Sequence, residues 1–376
     1  MGNRSPADES GYNNDQQKLG RNDVNTFKGL LAATLLASAA AVAPAAAQDI
    51  TLGFVTHAQG NPFIQQIIDG AQAAAKDLGV DLQVAQQPGS QAEGQLKLTQ
   101  NFANAGAQGV ATSIQGEGMT RGLNELVDAG VKIVQYNTLS TNINAPYVGE
   151  KSVESGRVLG KMIVEKLGGA DAKGTVIVGI CFPGIQVLEN RSQGVQESLK
   201  AAPGLNVLGP FDVKVSEVEN YNRWEQLYAA NPETVAMVGL CAPDIASLGK
   251  LNAANGDKFV AGGYDLTEPN LKAIQDGHAF VSIGQSAFVQ GYLPVALMVD
   301  AIKNDKPLEV GFYDAGAQIV TADTVDMGNG LPAISFEEAI KLAGDPAATA
   351  EYYKAWADKV KADPTAGMQP IAAEAE

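Results

Sequence analysis

Residue types that commonly carry catalysis or bind metal are scarce in this sequence. Its 376 residues include two cysteines and two histidines, His57 and His278. A structural zinc site takes about four ligands, mostly Cys and His, and a catalytic dyad often uses a His base. The sequence also lacks the G-x-S-x-G, H-E-x-x-H and C-x-x-C motifs. We therefore expect no metal site and no enzymatic centre.

The sequence also lacks features that bind phosphate. No G-x-G-x-x-G follows the first apolar strand, where His57-Ala58-Gln59-Gly60 stands instead, and no G-x-x-x-x-G-K-[ST] occurs. The formal net charge is −16, whereas nucleic-acid binding requires a basic surface. We expect neither a nucleotide cofactor, nor any other cofactor, nor a nucleic-acid partner.

Aromatic residues are few, at 6%, while glycine is abundant, with 41 residues. This composition suits an α/β protein with many tight turns between strands and helices. Apolar runs of strand length alternate with helical periodicity in two successive rounds, which predicts parallel sheets with right-handed crossovers. The predicted strands are residues 50–56, 81–85, 109–114 and 132–136, then 175–180, 205–211, 235–240, 259–264, 280–284 and 311–320.

The N-terminal region has the pattern of an export signal. Residues 26–47 contain Lys28, an apolar run and Ala45-Ala46-Ala47 before Gln48, which are the basic, apolar and small-residue parts of a signal peptide. We expect residues 1–47 to be a signal peptide with an upstream segment, cleaved near Ala47-Gln48. Residues 331–376 form a C-terminal extension, helical in places, whose last dozen residues we predict to be disordered.

Polar residues suited to a cleft follow five of the predicted strands. In an open parallel sheet, ligands bind outside the carboxyl ends of the strands, so a series of such endings indicates a site for a small polar ligand. The segments are Asn61-Pro62-Phe63, Tyr136-Asn137, Cys181-Phe182, Tyr264-Asp265 and Ile283-Gly284-Gln285.

Four sequence motifs, in this order behind a signal peptide, resemble those of the periplasmic sugar-binding proteins of ABC transporters, of the ribose-binding type. They are Asn61-Pro62-Phe63, residues 189–194 (ENRSQG), residues 262–265 (GGYD) and residues 282–285 (SIGQ). The resemblance covers residues 50 to about 325. It implies two doubly wound parallel-sheet lobes joined by a three-strand hinge, the type I periplasmic binding protein fold, with the ligand between the lobes.

The resemblance also implies domain boundaries. The N-terminal lobe would comprise residues 50–150 and 288–318, and the C-terminal lobe residues 152–286 and 319–330. The three hinge crossings would fall near residues 149–152, 286–289 and 318–320.

Six residues match ligand-binding positions of the family. Asn61 would hydrogen-bond sugar hydroxyls, Phe63 would stack on the sugar, and Arg191 would donate a fork of hydrogen bonds. Asp265 would accept from two hydroxyls, while Asn137 and Gln285 would complete the set. Carboxylate, guanidinium and amide groups together match hydroxyls, which both donate and accept. His57, Phe182, Asp244 and Ser113 are further candidates.

Each of these residues also has a purely structural interpretation. Asn61 could cap the helix after it, and Phe63 could belong to the core. Arg191 could lie on the surface, paired with Glu189 or Glu197. Asp265 could cap a helix, and Gln285 could only brace the hinge.

Two departures from the family pattern bear on the ligand. Tyr136-Asn137-Thr138 lacks the Asp-Arg pair of ribose binders, and Cys241-Ala242-Pro243-Asp244 replaces their Asn-Asp. We therefore expect a monosaccharide other than ribose, a polyol, or a furanose-type signal molecule. Cys181 and Cys241 would end neighbouring strands in the family's strand order, so they form either a disulfide or two buried thiols.

The resemblance implies a periplasmic, monomeric protein that captures a sugar or polyol by hinge closure and delivers it to an ABC transporter permease. A sensor that presents the ligand to a signalling partner fits the same residues. An enzyme on the same fold is the third alternative, and the scarcity of histidine and of nucleotide loops counts against it.

Overall fold

The computed structural model describes residues 49–372. The predicted signal peptide and the segment before it lie outside the described residues. Strands and helices alternate through most of the described chain, as the sequence predicts. None of the helices in residues 49–372 is both long and apolar enough to span a membrane.

The first sheet has six strands, all parallel, in the order β11-β5-β4-β3-β1-β2. Its centre is apolar because β1 and β3 are buried along almost their whole length. The strands are β1 (Thr51–Thr56), β2 (Asp81–Gln86), β3 (Gly109–Thr112), β4 (Lys132–Tyr136), β5 (Tyr147–Gly149) and β11 (Phe312–Asp314).

The second sheet has seven strands in the order β13-β12-β10-β9-β8-β6-β7. β6 to β10 are mutually parallel, while β12 and β13 add to the edge in antiparallel fashion. The strands are β6 (Lys173–Ile180), β7 (Gly204–Asp212), β8 (Thr234–Gly239), β9 (Val260–Tyr264), β10 (Val281–Gly284), β12 (Gln318–Thr321) and β13 (Val325–Asp326).

Helices cover both sheets and bury their apolar faces against them. Each sheet carries a closely packed helix pair, α1 with α9 on the first sheet and α4 with α5 on the second. The helices are α1 (Pro62–Leu78), α2 (Ala92–Asn104), α3 (Thr120–Asp128), α4 (Ser152–Lys166), α5 (Gln186–Leu199), α6 (Glu217–Ala230), α7 (Asp244–Ala254), α8 (Glu268–Gln275), α9 (Ala287–Lys303), α10 (Phe336–Gly344), α11 (Pro346–Tyr352) and α12 (Lys354–Ala362).

The chain passes between the two sheets three times, after β5, after β10 and after β11. The predicted single strand 311–320 is wrong, because residues 312–314 pair with β5 and residues 318–321 pair with β10. The third crossing therefore falls at residues 315–317. That the two sheets belong to lobes which move relative to one another stays a prediction.

The C-terminal extension is more ordered than the sequence predicts. Ala339 of α10 packs with Leu271 of α8 and Val320 of β12, while the Tyr353 ring stacks on Phe288 of α9, 4.7 Å between centroids. Gln369 forms a β-bridge with Phe312, so the prediction of disorder is wrong for residues 365–372. The physical reason is that the exposed edge of β11 offers free backbone groups for pairing.

Candidate functional site

A cavity lies at the carboxyl ends of strands from both sheets, where this fold class binds ligands. All six residues that match the family's ligand positions line it, together with His57, Phe182 and the two cysteines. The lining residues are His57, Ala58, Asn61, Phe63, Ser90, Gln115, Asn137, Thr138, Cys181, Phe182, Ile185, Val187, Leu188, Arg191, Val215, Cys241, Ala242, Pro243, Asp265 and Gln285.

Two of these residues leave their strands in the left-handed backbone region. Asn137 follows β4 with φ of 62°, and Asp265 follows β9 with φ of 73°. Asn and Asp tolerate this conformation better than other residues with a side chain. Each backbone amide still donates to the neighbouring strand, Asn137 to Val148 at 3.0 Å and Asp265 to Ile283 at 2.7 Å. Asn and Asp are therefore suited to the backbone conformation that both strand ends adopt.

A buried chain of amide hydrogen bonds joins the two sheets at this site. Asn137 Nδ2 donates to Gln285 Oε1 at 3.0 Å, and Gln285 Nε2 donates to Asp265 Oδ1 at 2.7 Å. Gln290 of α9 closes the network, accepting from Asn137 at 3.2 Å and donating to the Gln285 carbonyl at 2.6 Å. Gln285 therefore links a residue of the first sheet to one of the second.

Asp265 keeps one carboxylate oxygen for a ligand. Gln285 donates to Oδ1, whereas Oδ2 has no protein donor among residues 49–372. Burial raises the pKa of Asp265 to about 6, although Arg191 nearby favours the charged form. Asp265 does not cap α8, because that helix starts at Glu268, its N-cap residue is Thr267, and no side chain caps it.

Arg191 is buried, with 3% of its surface exposed. It forms an ion pair with Glu150, donates from Nη1 to the Leu240 carbonyl at 2.9 Å, and lies over the Tyr264 ring. The alternative of a surface residue paired with Glu189 or Glu197 is wrong, since Glu197 pairs with Arg157 instead. Arg191 Nη2 and Glu150 Oε2 are buried and have no partner in the described chain.

Close packing of α4 against α5 fixes the position of Arg191. A methyl group at Gly156 would lie 2.3 Å from the carbonyl oxygen of Arg191, and one at Gly194 would lie 2.1 Å from that of Val153. Only glycine fits at such contacts. The glycines thereby bring α5 near the start of α4, where Glu150 stands after β5.

Asn61 and Phe63 each combine a structural contact with a place in the cavity wall. Asn61 Oδ1 caps α1 by accepting from Phe63 N at 2.9 Å and Ile64 N at 3.4 Å. Its Nδ2 makes no hydrogen bond to residues 49–372, so the cap leaves a donor for a ligand. Phe63 is buried in the first-sheet core and lines the cavity as well.

His57 lines the cavity, and Ser113 lies behind it. His57 Nδ1 and Ser113 Oγ are 2.9 Å apart, and Gln95 Nε2 donates to the same hydroxyl at 3.1 Å. Enclosure by protein lowers the pKa of His57 to about 4, so the imidazole is neutral at pH 7. Ser113 is not part of the cavity lining and instead orients the His57 ring.

Asp244 does not line the cavity, in contrast to its interpretation as a ligand candidate. Its Oδ1 accepts from Asn220 at 2.7 Å and from Trp224 at 2.9 Å, and its Oδ2 accepts from the Cys241 amide at 2.8 Å. The carboxylate therefore fixes the turn after β8. Burial raises its pKa to about 6, and the three donors oppose the shift.

A disulfide joins Cys181 and Cys241 beside the cavity. Cys181 directly follows β6 and Cys241 lies two residues after the neighbouring strand β8, so the link ties together two loops of the cavity wall. Phe182 follows Cys181 and is partly exposed to the cavity. Within residues 49–372 no group of His, Cys, Asp and Glu is arranged to hold a metal ion.

Sequence reasoning missed Glu150 and Gln290. Glu150 was inside the predicted first crossing, and a carboxylate directly after a strand was the available signal. Gln290 is the one amide in the first two turns of an otherwise apolar helix, α9, where a buried polar group requires a hydrogen-bond partner.

Residues 52–306 match the periplasmic binding protein domain family. The xylose/arabinose-binding protein XylF of Sulfolobus acidocaldarius is 23% identical over 72% of this chain and 71% of its own. The ribose import binding protein RbsB of Escherichia coli is 25% identical over 68% of this chain and 85% of its own.

Solved structures share the fold. An ABC transporter solute binding protein from Burkholderia graminis, crystallised with D-arabinose, superposes with a TM-score of 0.68 at 21% identity. The match covers 73% of this chain and 96% of that one.

Proposed function

This chain belongs to the periplasmic binding protein domain family, and we propose that it captures a monosaccharide or related polyol between its two sheets. One observation carries the proposal: the buried amide network runs from Asn137 through Gln285 to Asp265 and leaves an oxygen of Asp265 available. The relatives that bind xylose, arabinose or ribose are in accord with a polyhydroxylated ligand.

Sugar hydroxyls suit this arrangement chemically. A hydroxyl donates to the free Asp265 oxygen and accepts from the Asn61 amide or Arg191 Nη2. Phe63 and Phe182 offer rings for the C–H faces of a sugar. A ligand that lacks one of these hydroxyls leaves a buried polar group unpaired, at a cost of about 1–3 kcal/mol, and this sets specificity.

We infer that binding acts through closure of the two lobes. Asn61 and Asn137 belong to the first sheet's side, Arg191 and Asp265 to the second's, so one ligand bonded to both sides favours the closed arrangement. The closed protein would then deliver the ligand to an ABC permease. No covalent step is required for this role.

A thermal-shift screen tests the binding proposal. The purified protein is heated with pentoses, hexoses, polyols and furanose-type compounds, and a true ligand raises the melting temperature by mass action. We expect the shift to disappear in Asp265→Ala and to persist in Asp171→Ala, whose carboxylate is exposed and outside the cavity. A folded protein that responds to no compound would contradict a sugar or polyol ligand.

An experiment in cells distinguishes a transport role from a signalling role. Deletion of the gene should abolish uptake of the ligand identified in the screen, and wild-type but not Asp265→Ala should restore it. Normal uptake with loss of a ligand-induced response would favour the sensor instead.

We also propose that the protein is exported to the periplasm and acts as a monomer. N-terminal sequencing of the exported protein should begin at Gln48, and light scattering should give the mass of one chain. A retained N-terminal segment or a dimer mass would contradict these two points separately.

A further inference from the structure

The two sides of the cavity differ in chemistry. The side that belongs to the first sheet is mainly polar: Ala58 and Phe63 are its apolar members, and its polar residues are His57, Asn61, Ser90, Gln115, Asn137 and Thr138. The side that belongs to the second sheet carries an apolar wall, which we define as Phe182, Ile185, Leu188, Pro243 and the Cys181–Cys241 disulfide. Beyond this wall, the second sheet contributes Arg191 and Asp265 to the lining.

The apolar wall is not explained by the needs of the fold. Phe182, Ile185 and Leu188 are only partly buried, and none of them joins a hydrophobic cluster of the described chain. Their neighbour Val187, by contrast, packs with Tyr147 and Phe312. Apolar side chains left half-exposed inside a cavity are available to cover an apolar part of a ligand.

The side chains of the wall also lack a strong hydrogen-bond donor or acceptor for a ligand. Asp244, the one carboxylate in the turn after β8, has both oxygens occupied by protein donors. The disulfide sulfurs are at most weak acceptors. A ligand hydroxyl placed against these side chains would lose its water and gain no side-chain partner, which weakens binding.

We propose that the ligand is a deoxy sugar, with a methyl or methylene group against the apolar wall in place of a hydroxyl-bearing carbon. Its remaining hydroxyls face the polar side and Asp265. The proposal rests on the sugar-binding function above and specifies the substrate class of that site. Because the wall leaves a hydroxyl unpaired, it discriminates against the hydroxylated parent sugar.

Calorimetry with matched pairs tests the proposal. The pairs are L-rhamnose with L-mannose, L-fucose with L-galactose, D-fucose with D-galactose, and 2-deoxy-D-ribose with D-ribose. For at least one pair, we expect the deoxy member to bind with a dissociation constant at least about tenfold lower than that of its parent. If the parents bind as well or better, the inference is wrong while the sugar-binding function stands. If no member of this panel or of the wider screen binds, the function itself is wrong.

A variant of the wall gives an independent readout. Leu188→Gln retains a similar volume and helix propensity, and supplies a donor and an acceptor. We expect it to weaken the deoxy sugar and to narrow or reverse the preference within its pair. Val310→Gln is the control, since Val310 is 49% exposed and outside the cavity. An unchanged preference in Leu188→Gln would overturn the proposed contact.

Discussion

Asp244 and Asp265 show how two similar carboxylates acquire different roles. Both follow strands of the second sheet, both are buried, at 0% and 3% exposure, and burial raises the pKa of each to about 6. They differ in their partners. Three protein donors occupy both oxygens of the Asp244 carboxylate, whereas within residues 49–372 one donor, Gln285, contacts the Asp265 carboxylate.

Burial and a shifted pKa therefore do not identify a ligand residue by themselves. A buried carboxylate with all of its acceptor positions used stabilises the fold, while one with an oxygen left over requires another donor. Asp265 lines the cavity, so a ligand can supply that donor.

The largest expected effect is a difference in protein stability between alanine variants of the two residues. Asp244→Ala removes the acceptor of three buried donors, from Asn220, Trp224 and Cys241, and should lower the free energy of unfolding by at least about 3 kcal/mol. Asp265→Ala leaves one donor, Gln285 Nε2, unpaired and should cost about 1 kcal/mol, but it should abolish ligand binding. Urea melts and calorimetry below the melting temperature measure both. If both variants lost the same free energy of unfolding, the proposed difference between a structural Asp244 and a ligand-binding Asp265 would be wrong.

A second effect, of about 3 kcal/mol at most for each residue, comes from pH. Each pKa is raised from 3.8 to about 6, so the folded state holds a proton that the unfolded state releases. The resulting stability is present below pH 4 and is lost as pH rises through 6. Asp244→Asn and Asp265→Asn should each flatten this part of the curve of unfolding free energy against pH. If the curve of either variant ran parallel to that of the wild type between pH 4 and 6, the raised pKa of the replaced aspartate would be contradicted.

Ligand affinity should follow the titration of Asp265 alone. The ionised carboxylate accepts from sugar hydroxyls more strongly than the protonated one, so affinity should fall as pH drops below about 6. Asp244→Asn should show the same fall. If affinity did not fall with pH in Asp244→Asn, Asp244 would belong to the ligand site.

The sequence predicts the alternation of strands and helices well, because glycine turns and apolar runs are local signals. It also locates the cavity, since residues such as Asn137 and Asp265 mark strand ends. It could not assign Asp244, because the donors from Asn220 and Trp224 belong to α6, 20 or more residues away in the chain. The Glu150–Arg191 pair depends likewise on the packing of α4 against α5.

The smallest expected effect concerns Asn61, because this one side chain both stabilises the fold and is available to a ligand. Its oxygen is occupied by the backbone of α1, as the oxygens of Asp244 are by their donors, and its amide nitrogen remains available, as Oδ2 of Asp265 does. Asn61→Asp keeps the cap but removes the amide donor, so stability should be unchanged while affinity falls. Asn61→Ala should lose affinity and also about 1 kcal/mol of stability. Thermal melts and calorimetry distinguish the two variants. If Asn61→Asp bound the ligand as tightly as wild type, Asn61 would be a cap alone, and the division between oxygen and nitrogen would have no functional meaning.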